Sequence, residues 1–273
     1  MQLGIFAKTF PGTDPQRVLL AVRESGFATT QFNLACVGLP SMPDAVAPET
    51  IAAIRAASRE TGVSLAALSG TYNMAHPDKS VRDMGSKQLK IVIETAAALQ
   101  IPLVTLCTGS RNAQDQWMYH PDNALPSAWA DMASEMEKAL GFAERHDIAL
   151  GIEPEQANIV TSAADAMRLI GEMGSKRLRI VLDPANLFER ATPAEVSDIV
   201  ERAIDISAGH VTMAHAKDRH ADGRFATAGQ GIVDFPAFID GLRVTGFDGP
   251  LVTHGLAAVE APAVARFLSD LIR

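Results

Sequence analysis

Four residues at the ends of apolar runs carry side chains that bind divalent metals: Glu153, Asp183, His215 and His254. They stand in the segments ALGIEPE (149–155), LRIVLDP (178–184), HVTMAHAK (210–217) and PLVTHGL (250–256). The successive gaps are 30, 32 and 39 residues, each about one strand-plus-helix unit. Two carboxylates and two imidazoles make a mixed oxygen and nitrogen donor set. That set suits one divalent ion (Mn, Zn, Co, Fe or Mg, with Mn or Zn favoured) better than the all-oxygen cage of Ca²⁺. Glu153 follows Leu150, Gly151 and Ile152, and Asp183 follows Ile180, Val181 and Leu182. A carboxylate in such a setting needs a cation or hydrogen bonds to offset its desolvation. A buried ion pair with Lys217 is the competing explanation.

Around this quartet stand further candidates. Glu153 or Glu155 would serve as general base beside a polarised carbonyl. Lys217 would neutralise developing negative charge, or pair with Asp218 as a structural bridge. Asn186 and Asp218 follow the sixth and seventh runs closely enough to contact a substrate. His76, in YNMAHP, follows the third run and reads as a substrate contact or a supporting group. Arg111 suits a carboxylate or phosphate. Trp117 either caps a pocket or anchors its loop. His146 and His210 precede strands and read as structural, while His120 and His220 read as solvated. Cys36 and Cys107 form no CxxC pair and read as buried free thiols.

The elements that must position these groups alternate. Besides the four segments above, apolar runs occur at QLGIFAK (2–8), TTQFNLA (29–35), SLAALSG (64–70) and PLVTLCT (102–108), giving eight strands. Their near-continuous apolarity fits strands covered on both faces. Helices fill the gaps. Asp14-Pro15, Pro48, Pro126 and Asp234 mark helix starts, Ser80–Leu99 is the third helix, and the last begins near Val259. Ser162 with Asp165 and Thr192 with Glu195 have capping-box spacing. Eight such units in one domain, residues 1–273, predict an α/β fold, a (β/α)8 TIM barrel of eight parallel strands with outer helices. Ala7-Lys8-Thr9-Phe10-Pro11 is not the glycine-rich loop of an open dinucleotide-binding sheet. The longest irregular stretch, Thr108 to about Leu125, has the length of a functional lid. A chain of 273 residues with 47 % hydrophobic residues, 21 % charged residues and a formal net charge of −8 has a sizeable core and no basic patch. A nucleic-acid partner is not expected. The opening MQLGIFAKTFPGTD does not read as a signal peptide, and no apolar run is long enough to span a bilayer. A soluble cytoplasmic protein with no membrane partner is expected.

The runs IEPE, VLDPANL and HAKD, with the segment from Gly229 to Phe235, resemble the sugar phosphate isomerase/epimerase superfamily, the xylose isomerase-like TIM barrels. The resemblance runs over essentially the whole chain. It implies a divalent metal held by Glu153, Asp183 and His215, with His254 in the fourth place, where the epimerase pattern has a glutamate. It also implies a small carbohydrate-like substrate and a homo-oligomer. A symmetric two-glutamate epimerisation is weakened by His254, because metal-bound imidazole is a poor proton acceptor. Asn186 stands where many members have histidine. The extra metal-binding histidines of the endonuclease IV type are missing from the early strands, where only His76 occurs. The expected activity is metal-dependent isomerisation or epimerisation of a small sugar, sugar phosphate or hydroxy-keto acid through an enediolate. A keto-sugar lyase on the same site and a non-catalytic sugar-binding barrel are the alternatives.

Overall fold

The computed structural model describes residues 1–273. Eight parallel strands close into a barrel in the order β1 (Gln2–Phe6), β10 (Pro250–Thr253), β7 (Val211–Ala216), β6 (Leu178–Leu182), β5 (Ala149–Ile152), β4 (Leu103–Leu106), β3 (Ser64–Ser69) and β2 (Thr29–Phe32). The barrel closes where Gln2 to Ile5 of β1 run beside Pro250 to Thr253 of β10. The remaining strands are a two-residue hairpin after β7, β8 (Asp218–Arg219) with β9 (Phe225–Ala226). The helices are α1 (Pro15–Glu24), α2 (Pro48–Thr61), α3 (Lys79–Leu99), α4 (Pro126–His146), α5 (Ala163–Met173), α6 (Pro193–Ile206), α7 (Phe235–Val244) and α8 (Ala261–Ile272).

Local chemistry explains the starts. The Asp14 carboxylate accepts from Gln16 N at 2.9 Å, and Pro15 opens α1. Thr192 and Glu195 complete a reciprocal capping box at α6. The strands stop earlier than their apolar runs. After β2 and β6, Asn33 and Asp183 accept from backbone N–H groups two residues on and turn the chain into short 3-10 segments. α8 begins at Ala261, two residues after Val259, because a 3-10 turn over Ala258–Glu260 precedes it.

One large apolar layer fills the space between strands and helices, and a smaller plug of Ala67, Leu103, Val181, Met213 and Val252 joins five strands. Gly151 makes room for that plug, since a Cβ there would meet Val181 Cγ2 at 2.7 Å and Leu103 Cδ1 at 3.1 Å. No helix is long and apolar enough to cross a membrane.

Candidate metal centre

Glu153, Asp183 and His254 each lie one residue beyond a strand, and His215 is the penultimate residue of β7. The strand ends therefore deliver four donors to one level at the C-terminal mouth, where barrel enzymes carry their chemistry. One ligand atom from each lies within 4.8 Å of the others. His215 Nδ1 is 3.2 Å from Glu153 Oε1 and 3.8 Å from Asp183 Oδ2, and His254 Nε2 is 3.0 Å from Asp183 Oδ2. Donors about 2.1 Å from a shared ion at tetrahedral to octahedral angles are roughly 3.0–3.4 Å apart. The N2O2 set thus fits a divalent ion in chemistry, and two of the three distances fall in that range.

Neighbouring groups hold the donors in place. His215 Nε2 lies 2.9 Å from Gln31 Oε1, an acceptor-only atom, so Nε2 carries a proton there and Nδ1 is the nitrogen turned to the centre. Gln31 is itself fixed, its Nε2 donating to Ser69 Oγ and Thr105 Oγ1, both at 3.1 Å. Asn186 Nδ2 donates to Glu153 Oε1 at 2.6 Å, while Lys217 Nζ donates to Asn186 Oδ1 at 2.5 Å and pairs with Asp183 Oδ2 at 3.3 Å. Burial pushes the Asp183 carboxyl up, but Lys217 and then His254 outweigh it and hold the group well below the usual carboxylate range. Burial likewise raises Glu153, and attraction to His215 overrides it. Burial and repulsion from His215 lower His254, which keeps a neutral imidazole available.

Above the quartet opens a cavity of about 530 Å³. Glu155 lines it, no side chain pairs with its carboxyl, and burial with Glu153 beside it pushes that carboxyl up to about 7. Lys217, Asn186 and Trp117 also line it, Trp117 being 47 % exposed at the tip of the long loop. Other expected contacts are drawn elsewhere. Arg111 pairs with Asp131 of α4 at 2.7 Å and donates to Ala75 O at 3.1 Å, so it anchors the root of the loop. His76 accepts from Asp78 N at 3.0 Å and lies near Ala113 O. Asp218 has no bridge to Lys217. Its oxygens accept the backbone N–H groups of Arg219, Gly229, Gly231 and Val233, which organises the glycine loop. Sequence reasoning missed Gln31, Lys8 and Phe225, which also line the cavity. A glutamine inside the apolar run TTQF was the one signal available for Gln31.

A closed barrel with a metal-fitting quartet at its C-terminal mouth defines a class of metal-site TIM barrels. The chain belongs to the xylose isomerase-like TIM barrel family, whose model matches residues 19–269. Among solved structures it is similar to a 3-keto-D-glucoside 4-epimerase from E. coli, at 19 % identity over 99 % of this chain and 98 % of that one, with a TM-score of 0.76. It is also similar to an L-ribulose 3-epimerase, at 17 % identity over 99 % and 94 %, with a TM-score of 0.78. A D-psicose 3-epimerase from Clostridium cellulolyticum H10 aligns at 14 % identity over the full length of both chains, with a TM-score of 0.76. At these identities the likeness shows the shared fold. No curated protein sequence matches the chain.

Proposed function

We propose that the protein is a divalent-metal-dependent isomerase of a small hydroxy-carbonyl compound, acting through an enediolate. The observation that carries this reading is the convergence of four ligand atoms beneath a cavity that also holds one unpaired carboxyl, Glu155. A divalent ion in such a donor set supplies Lewis-acid polarisation of neighbouring carbonyl and hydroxyl oxygens. Glu155 takes the proton from the hydroxyl-bearing carbon beside the carbonyl and returns it to the former carbonyl carbon, while the hydroxyl proton passes to the former carbonyl oxygen. Without metal, burial and then Glu153 raise its pKa to about 7. Lys217, oriented by Asp183 and Asn186, faces the negative charge that develops. Trp117, on the long loop, lines the mouth of the cavity.

Epimerisation by a two-base route needs a second acid/base on the opposite face of the substrate. His254, directed at Asp183, leaves Glu155 as the free carboxyl, which favours isomerisation. The test is exchange of substrate hydrogen with deuterated water across a panel of ketoses and keto-acids. Glu155→Gln should lower exchange at least about 100-fold, in the range of a lost general base, with metal content unchanged at about one equivalent. Equal exchange in both proteins would remove Glu155 from the mechanism. Ligand binding with no exchange in wild type would make the barrel a binding protein.

A further inference from the structure

The cavity is lined by two lysines as well as two glutamates, in a chain whose formal net charge is −8. Lys8 and Lys217 line the cavity, and Arg219 stands beside it on the hairpin. Lys217 Nζ lies 4.1 Å and Arg219 Cζ 4.0 Å from the centroid of the Phe225 ring, which also lines the cavity. The two cationic groups are therefore within about 8 Å of each other.

Arg219 is the anomaly. It is 8 % exposed, no carboxylate pairs with it, and its Nε is buried without a hydrogen-bond partner. The Arg82 Nε is also buried without a hydrogen-bond partner, but that guanidinium has carboxylates beside it. Arg82 and Arg111 both reach Asp131, at 3.1 and 2.7 Å. Stacking on Phe225, with Phe188 at 5.8 Å, offsets part of the desolvation of Arg219 but leaves its N–H fork unused. Backbone amides do not supply a rival anion site, because those of Gly229, Gly231 and Val233 are committed to Asp218. Lys217 keeps one N–H beyond those directed at Asn186 and Asp183. A divalent ion would balance Glu153 and Asp183. Lys8, Lys217 and Arg219 would then face Glu155 alone.

We infer that the substrate carries an anionic group, a carboxylate or a phosphate ester, and that Arg219 with Lys217 and Lys8 binds it on the hairpin side of the cavity mouth. The inference rests on the metal-dependent isomerase reading and narrows its substrate class. A planar guanidinium fork matches both anions, and charge-assisted hydrogen bonds are the strong ones.

The experiment is calorimetric titration of metal-loaded protein with three ketoses: neutral D-ribulose, D-ribulose 5-phosphate and 2-keto-D-gluconate. One charged ketose should bind at least tenfold more tightly than D-ribulose, about 1.4 kcal/mol. Which one does so distinguishes phosphate from carboxylate. Arg219→Gln should abolish that preference, leaving D-ribulose within twofold and metal content unchanged. Lys8→Gln, at an exposed position, provides a folded second variant and should weaken the charged ketose alone by roughly two- to threefold. Equal binding of neutral and charged ketoses overturns the inference, as does a preference retained in Arg219→Gln. In the latter case Arg219 is only a stacking partner for Phe225. Failure of all three ketoses to bind overturns it too. Metal content and deuterium exchange are read independently. A charged-ketose preference without metal or exchange would refute the isomerase reading and keep the anion site.

Discussion

Replacing Gln31 with methionine keeps the side-chain length and removes the acceptor that sets the His215 tautomer. In the native arrangement His215 Nε2 donates to Gln31 Oε1 at 2.9 Å, and Gln31 is 8 % exposed, so water does not substitute freely. An orphaned buried N–H costs about 1–3 kcal/mol. The ring avoids this by moving its proton to Nδ1, which lies 3.2 Å from Glu153 Oε1 and gains an acceptor there. That proton occupies the lone pair needed for metal. The expected result is a 10–100-fold loss of metal affinity, about 1.4–2.8 kcal/mol, with all four ligands still present. Competition against a chelator of known affinity measures it, with circular dichroism confirming the barrel. Gln31→Glu restores an acceptor and should recover most of the loss. Affinity within twofold of wild type in folded Gln31→Met would refute the tautomer argument.

His254→Ala removes a candidate ligand outright, so its metal content by elemental mass spectrometry should fall further than that of Gln31→Met; an undiminished equivalent would place the ion elsewhere. In metal-free protein Glu155 is raised from 4.5 to about 7, so its contribution is present below pH 4.5 and is lost as pH rises towards 7. The loss is on the order of 3 kcal/mol and is complete only above pH 7, and urea unfolding should show that Glu155→Gln flattens this slope; parallel profiles would contradict the burial argument. Gly151→Ala should cost about 1–3 kcal/mol by overpacking against Val181 and Leu103, and an unchanged Tm would show that the plug yields. Burial raises both thiols, Cys36 to about 11, so neither should react with a thiol reagent near pH 8 until the protein unfolds; rapid labelling of the native protein would refute this.

The barrel was legible because each strand is a short apolar run punctuated by helix-start residues, a local pattern. The quartet was legible for a related reason. A carboxylate or imidazole terminating a buried run has few inexpensive explanations, and four in register have fewer. The loop residues were not legible, because their partners are chosen by tertiary structure. Arg111 reads as an anion binder until Asp131, on the next helix, is found 2.7 Å away. Asp218 reads as a substrate contact until four backbone amides converge on it. Arg219 escaped notice for the opposite reason, since only packing reveals a guanidinium with nothing to bind.

The candidate ligands all come from the second half of the chain, on or just beyond β5, β6, β7 and β10, whereas Lys8, Asn33, Ser41, Thr71 and Trp117 of the first half line the same cavity. Gln31 is the one group from that half that orients a donor. The candidate ligands are thus confined to one half of the chain, while the cavity wall draws on both. Loops after β1 to β4 supply cavity wall without supplying a candidate ligand, so they can be grafted between relatives with the quartet intact. Metal loading would be the readout that such grafts are neutral, and Gln31 the position a graft must carry unchanged.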